Sequence, residues 1–216
     1  MPACGVNWIG EVAARPAAQW QGMEPGMAIG NDGSVQFAID AKASLFTVQA
    51  FASGLVAVIA HSPKFAMREI TGEIDFDAEA PMKSFVHVTI KLKSLEIMDE
   101  VKASERQEIE RVMFNDVLET SVYPVVEFKS TRVGAAKTGE SMYRVNVTGT
   151  LSLHGLSRGL SFDSQVVAGE DSIRAQGAFS LLQADFGLKI ASVAGGTLKL
   201  KDELKFGFFL VARRKS

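Results

Sequence analysis

The most constraining feature of this chain is a twelve-residue stretch in which apolar and polar side chains alternate. Across residues 143–154, every odd position is apolar or glycine and every even position is polar. Successive side chains of an extended strand point to opposite faces of the sheet. The stretch is therefore predicted to be a long strand with one dry face and one solvated face.

The same alternation recurs along the chain. It spans residues 85–95 and 198–210, and shorter strand patterns separated by turn residues lie between and before them. A turn is predicted at 134–139, a segment that begins and ends with glycine. Long strands with one apolar face are typical of antiparallel barrels and sandwiches. The chain is therefore predicted to be an all-β protein.

One stretch has a different period. Across residues 99–118, apolar residues recur at near-helical spacing among charged ones. Ser104 is predicted to be the N-cap, and Arg106 and Glu110 have the i,i+4 spacing of an ion pair. We therefore predict one helix, which connects two strands across one end of a barrel.

Composition excludes several classes of protein. The net charge of −2, from 23 basic and 25 acidic residues, gives no electrostatic reason to expect nucleic acid or an anionic membrane surface as a partner. Cys4 is the only cysteine, which excludes an internal disulfide. No run approaches the roughly 20 apolar residues that span a bilayer, so no transmembrane segment is predicted.

The beginning of the chain differs from the rest. Residues 1–33 show no sustained period, so they are predicted to form an N-terminal extension, ordered in part, before a barrel domain over 34–216. Residues 1–25 lack the basic start and continuous apolar stretch of a secretory signal. As written, the chain is predicted to be cytoplasmic. A periplasmic location is the alternative if a leader has been removed.

Several short motifs follow one another in a fixed order. They are FAID (37–40) followed by Ser44, GEIDF (72–76), YPVVEFKS (123–130), VTGTLSLHG (147–155), and DFG (185–187) before DEL (202–204). In this order they resemble the YceI-like family over about residues 35–212. The resemblance implies a lipocalin-like, closed, antiparallel eight-stranded β-barrel with one helix across an opening. It also implies a long polyisoprenoid inside the barrel, such as a quinone or its prenylated precursor, and dimerisation.

A barrel of this size either fills itself with side chains or holds a slim ligand. The chain has 14 Phe against 2 Tyr and 2 Trp, so most of its aromatic surface lacks a polar group and suits an isoprenoid tail. A packed core would use the same residue types, and both alternatives stay open. The candidate lining residues share the apolar strand faces: Phe46, Val48, Val86, Ile90, Leu92, Phe128, Val147, Leu151, Phe179, Leu204, Phe206 and Phe208.

A lipid head group needs polar contacts at the mouth of the barrel. His61, beside a proline bend, and Asp185, before a Phe-Gly pair, are the candidates, and stabilising a turn is the alternative role for each. His154 ends the alternating strand just before Gly155, so it is predicted to shape that turn. His87 is predicted to lie on the outside of the barrel.

Catalytic signatures are weak in this sequence. Residues 155–159 match the Gly-x-Ser-x-Gly nucleophile elbow, but a strand pattern follows Ser157 and no histidine follows His154. The three histidines have no metal-ligand spacing, so neither a metal nor a catalytic residue is predicted. We predict a non-catalytic lipid-binding protein that sequesters or transports a polyisoprenoid. The alternatives are a packed barrel acting as a stress-related interaction protein and a serine hydrolase at Ser157.

Overall fold

The computed structural model of the protein describes residues 34–53, 62–190, 192–193 and 198–215. The predicted N-terminal extension and the candidate His61 lie outside these residues. The boundary between extension and barrel at residues 33 and 34 stays a prediction.

The described chain consists mainly of strands, with a single α-helix. The strands are β1 (Val35–Ile39), β2 (Leu45–Ser53), β3 (Lys64–Met67), β4 (Ile70–Phe76), β5 (Phe85–Lys91), β6 (Leu95–Ile97), β7 (Val125–Lys137), β8 (Met142–Leu153), β9 (Leu156–Ala168), β10 (Ser172–Leu182), β11 (Ser192–Val193) and β12 (Leu198–Arg214). The helix α1 (Ala103–Arg111) continues into a π-helical turn, Val112–Val117. Single 3-10 turns occupy Pro81–Lys83, Leu92–Ser94 and Gln183–Phe186.

Three of the eight strand positions in the barrel are each occupied by two shorter strands. β1 and β2 pair with successive parts of the same edge of β12. β3 and β4 are separated by Arg68 and Glu69, and β5 and β6 by the 3-10 turn Leu92–Ser94. With each interrupted pair counted once, the sheet closes as an antiparallel ring of eight strands, in which β12 pairs with β10 on one side and with β1 and β2 on the other. The predicted closed eight-stranded barrel is confirmed.

The alternation of β8 sets its two faces as predicted. Val145, Val147 and Leu151 are buried, whereas Arg144 and Asn146 are exposed. Because the side-chain period is two, every second residue of the strand joins the interior and its neighbours face water. The buried residues of the other strands extend the same apolar interior around the ring.

β1 joins β12 to β4 through short ladders, and we call this strand with its two ladders the seam. β1 pairs through three residues with β12 and through four with β4. Two ion pairs reinforce this seam: Arg213 Nε lies 2.7 Å from Asp40 Oδ2, and Lys215 Nζ lies 2.7 Å from Glu73 Oε2. The hydrogen bond from Arg213 and that from the Ala43 amide hold the pKa of Asp40 below its usual range. The hydrogen bond and charge of Lys215 do the same for the pKa of Glu73.

The helix differs from its prediction in two details. Lys102, in extended conformation, occupies the N-cap position and Ser104 lies in the first turn, so the prediction that Ser104 caps the helix is wrong. Arg106 does not pair with Glu110; its guanidinium donates to the carbonyl oxygens of Ile97, at 3.1 Å, and Asp99, at 3.4 Å. These bonds hold α1 against the end of β6.

The position of α1 follows from a gap in the sheet. β7 begins level with Lys91, where Val125 pairs with it, and β6 lies beyond that point. Within the described chain, β6 therefore pairs with β3 and with no strand on its other edge. The Arg106 bonds to the chain at Ile97 and Asp99 place the helix beside this edge. The helix therefore forms the part of the barrel wall beside β6 that the sheet leaves open.

Candidate functional site

The interior of the barrel contains a cavity of about 980 Å³. Its lining extends from Phe76, Pro81 and Ser84, at one end of the barrel, to residues of α1 at the other. This volume lies at the upper end of the range of about 300–1,000 Å³ that is typical of small-molecule sites. The interior is therefore not filled by its own side chains.

All twelve apolar residues singled out in the sequence line this cavity. Alternation was sufficient to place them, because each lies on an inward-facing position of a regular strand or of the turn after β5. Contact with a ligand at these residues stays a prediction. Asp185 is not among the lining residues: it is exposed in a 3-10 turn from which Gln183 and Phe186 point inward. The structure therefore does not bring Asp185 to the cavity.

A chain of phenylalanine rings crosses the cavity wall. Phe162 lies at its centre, with its ring centroid 5.5 Å from that of Phe128, 5.3 Å from that of Phe179 and 5.5 Å from that of Phe208. Phe179 stacks in turn on Phe206, with centroids 5.0 Å apart and planes within 3°. Sequence analysis missed Phe162, although its even position in the alternation of β9 marks it as inward-facing.

Two glycines make room for these rings. A Cβ atom on Gly149 would come within 2.6 Å of Phe128 Cζ, and one on Gly177 within 2.7 Å of Phe208 Cζ. Each ring therefore lies over a strand that lacks a side chain at that point, a known way of covering strand glycines with aromatic rings. The arrangement keeps the rings against the wall and the centre of the barrel open.

Helix α1 and the turn after it form one end of the cavity. Apolar residues of this segment line the cavity and pack against the buried interior: Val101, Ile109, Met113, Val117 and Leu118. The predicted helix across an opening is confirmed. Because these side chains are only half-buried, the segment buries less apolar surface per residue than the strands do.

The charged lining residues gather at the helix end of the cavity. They are Asp99, Glu100, Glu105 and Glu108. Both carboxylate oxygens of Glu108 accept hydrogen bonds of 2.9 Å from Arg111, which lower the pKa of Glu108. The amide of Lys64 donates to Asp99 Oδ2 at 2.8 Å. Sequence analysis missed this acidic group, because helical spacing alone does not reveal which face of α1 meets the cavity.

A family model for the YceI-like domain matches residues 33–212. This chain belongs to the YceI-like family. The match covers most of the sequence and confirms the resemblance carried by the five motifs.

Solved structures with the same fold are distant in sequence. BcnA of Burkholderia cenocepacia superposes with a TM-score of 0.62 at 19% identity, over 80% of this chain and 98% of that one. A polyisoprenoid binding domain from Saccharophagus degradans, implicated in plant cell wall breakdown, gives 0.61 at 16% identity, over 84% and 99%. The YceI protein of Campylobacter jejuni gives 0.54 at 18%, over 70% and 85%. At these identities the likeness establishes the fold. No curated protein sequence matches the chain.

The outer surface of this YceI-like barrel does not form a hydrolase site at Ser157. Ser157 lies in β9 directly after a tight hairpin, and its Oγ is 2.8 Å from Ser152 Oγ. The imidazole of His154 contacts Glu119 and the carbonyl of Phe186 instead of Ser157. A nucleophile elbow needs a turn from strand to helix, and a strand-to-strand hairpin occupies this position.

His87 lies on the outer face, as predicted. Its Nε2 is 2.7 Å from Glu127 Oε1, which also lies 3.0 Å from Lys129 Nζ. Hydrogen bonds from Lys129 and then His87 lower the pKa of Glu127. In the described residues, no group of three or more His, Cys, Asp and Glu side chains is placed to hold a metal ion. Of the helices that the structure describes, none has the length and apolar character to cross a membrane.

Proposed function

We propose that this protein binds a long-chain polyisoprenoid, such as a quinone or its prenylated precursor, inside the barrel, and sequesters or transports it without chemical change. The observation that carries the proposal is the elongated apolar cavity of about 980 Å³ inside a YceI-like barrel. The fold is shared with a polyisoprenoid binding domain, which supports this class of ligand.

The chemistry of the walls suits such a ligand. An isoprenoid tail offers dispersion contacts and apolar area, worth about 25 cal/mol per Å² removed from water. The strand faces and the phenylalanine chain present the same kind of surface. A quinone ring can stack on aromatic side chains as well, at centroid distances of about 4.5–7 Å.

The cavity also favours binding over the alternative of a packed core. Protein interiors pack densely and contain few voids larger than a water molecule. An unfilled space of this size leaves its apolar lining without contacts unless a ligand supplies them. The geometry at Ser157 argues against a hydrolase, which supports a role in binding. The homodimer and the cytoplasmic location stay predictions from the sequence.

The direct test is to purify the full chain without added lipid, extract it with organic solvent and identify the extract by mass spectrometry. We expect a prenyl lipid or a quinone. Val147→Trp places an indole inside the cavity and should strongly reduce the extracted lipid, whereas Arg144→Trp, on the solvated face of the same strand, should not. Circular dichroism checks that both variants fold.

Two results together would contradict the proposal. One is an extract that contains no lipid. The other is a purified chain that takes up neither a prenyl alcohol nor a quinone on incubation.

A further inference from the structure

Charge is distributed one-sidedly in the cavity wall. Four acidic residues line the helix end, and none of the described lining residues is basic. The acids lie in the approach to α1 and on its first two turns. Elsewhere the described lining is apolar or uncharged, so the only formal charges that a ligand meets along this wall are negative.

The two arginines of this segment are already engaged. Arg106 directs its guanidinium to the backbone carbonyls of Ile97 and Asp99. Arg111 bridges Glu108 and Asp116, and all three side chains are more than half exposed. Residues 99–111 contain five acidic and three basic residues, so the segment stays negative overall.

Specific local interactions surround three of the four acids. Arg111 lowers the pKa of Glu108, and Glu105 lies in the first turn of α1, where the helix dipole favours negative charge. Asp99 Oδ2 accepts a hydrogen bond of 2.8 Å from the backbone N–H of Lys64. Asp99 is half-buried and Glu100, Glu105 and Glu108 are exposed, so salt screens their charges.

We infer that the cavity selects amphiphiles by head-group charge: it accepts long-chain lipids with neutral or cationic heads and rejects those with phosphate, diphosphate or carboxylate heads. This inference rests on the lipid-binding function proposed above. An anionic head at the helix end would approach the carboxylates of Asp99, Glu100 and Glu105, and none of the described lining residues is a cation that could offset them. A hydroxyl or ammonium head would instead donate hydrogen bonds to the same carboxylates.

The test compares three lipids that share a geranylgeranyl tail and differ in the head: the alcohol, the amine and the monophosphate. Each competes with a fluorescent apolar probe for the full chain, below the concentration at which the lipid forms micelles. We expect the alcohol and the amine to displace the probe at concentrations at least about tenfold lower than the phosphate does, a difference of 1.4 kcal/mol. High salt should reduce this difference in displacing concentration between the phosphate and the other two lipids.

A matched pair of variants assigns the effect to the acids. Glu100→Gln with Glu105→Gln removes two charges from exposed side chains at the cavity, and Glu140→Gln with Glu170→Gln removes two from exposed positions near the β7–β8 and β9–β10 turns. The first variant should bind the phosphate more tightly, which reduces the difference in displacing concentration between the phosphate and the alcohol. The second variant should leave that difference unchanged.

The outcomes separate this inference from the proposed function. If the wild type binds the phosphate as tightly as the alcohol, or if both double variants keep the same difference in displacing concentration, head-group selection by these acids is wrong while lipid binding stands. If none of the three lipids displaces the probe and the extract contains no lipid, both the selection and the proposed function are wrong.

Discussion

His154 Nε2 lies 3.1 Å from Glu119 Oε2, and these are the two non-glycine residues with positive φ in the described chain, at 52° and 45°. His154 Nδ1 is 3.2 Å from the carbonyl oxygen of Phe186, and the Tyr123 ring lies 4.4 Å from the imidazole. Both ring nitrogens face acceptor oxygens, so both contacts are hydrogen bonds only when both nitrogens carry protons. The His154 side chain thus links three connecting segments at the helix end of the barrel: its own β8–β9 hairpin, the segment of Glu119 before β7, and the 3-10 turn that contains Phe186.

Replacing this histidine should loosen the helix end. His154→Ala removes the contacts of the ring with the Phe186 carbonyl and with Glu119, which keeps Lys189 at 3.6 Å, and we expect a loss of about 1–3 kcal/mol in the free energy of unfolding. Urea denaturation measures this loss in the free energy of unfolding. His87→Ala, which removes a more exposed contact with Glu127, should cost less than about 1 kcal/mol. Equal losses in the two variants would contradict a special role for His154.

Adding a methyl group to Gly177 should disturb the aromatic wall. A Cβ there would come within 2.6 Å of the Asp163 carbonyl oxygen and 2.7 Å of Phe208 Cζ, so the strand or the ring must move. We expect Gly177→Ala to destabilise the barrel by about 1–3 kcal/mol in thermal or urea denaturation. Gly159→Ala is the control, because nothing lies within 4 Å of its Cβ position. A neutral Gly177→Ala would show that the wall adapts freely.

Enlarging a ring next to the cavity should cost less than enlarging one in the packed seam. Phe206 lines the cavity, so we expect Phe206→Trp to change stability by less than about 1.5 kcal/mol. Phe37 is 2% exposed and packs with Ile74, Ile173 and Ala212, so Phe37→Trp should cost about 1–3 kcal/mol. Urea denaturation compares the two. The reverse order would indicate a filled interior.

The seam should weaken in acid. Asp40 and Glu73 have pKa values below their usual range because of Arg213 and Lys215. A carboxyl group whose pKa is lower in the folded state stabilises the fold above its unfolded pKa, about 4, and loses this effect as pH falls through the folded pKa. We therefore expect the urea midpoint to fall on acidification below about pH 4.

The matching variant is Asp40→Asn with Glu73→Gln. It should lower the urea midpoint at pH 7 and flatten the dependence on pH, and Glu140→Gln with Glu170→Gln should do neither. A destabilisation of the first variant that is the same at pH 7 and at pH 3 would show that the seam carboxylates do not contribute through their charge.

Sequence periodicity predicted the cavity wall well where strands are regular. For Val147 and Leu151, the odd position in the alternation of β8 was sufficient to predict that they face inward. In β7 the parity changes, because a bulge between Ser130 and Arg132 moves the inward positions from Phe128 and Ser130 to Val133. The same strand runs on to Lys137, through most of the predicted turn at 134–139, since Gly134 to Lys137 keep pairing with β8.

Features that depend on contacts between separate segments of the chain could not be predicted from the sequence. The acidic lining arises because Arg106 fixes α1 against β6, which turns Glu105 and Glu108 toward the cavity. Asp185 lies in a turn whose conformation is set by a distant contact, since the Ala184 amide donates to Asp202 Oδ1. Local pattern carries no information on such contacts between residues far apart in the chain.

The pairing of β12 with both β10 and the β1–β2 edge has a consequence for how the protein is made. During synthesis, the strands before β12 can form only an open sheet with two bare edges and an uncovered oily face. Closure joins segments from opposite ends of the barrel sequence, a topology that folds slowly. We therefore expect the ring to shut only after β12 has left the ribosome, and a nascent chain arrested earlier to depend on chaperones that shield exposed edges.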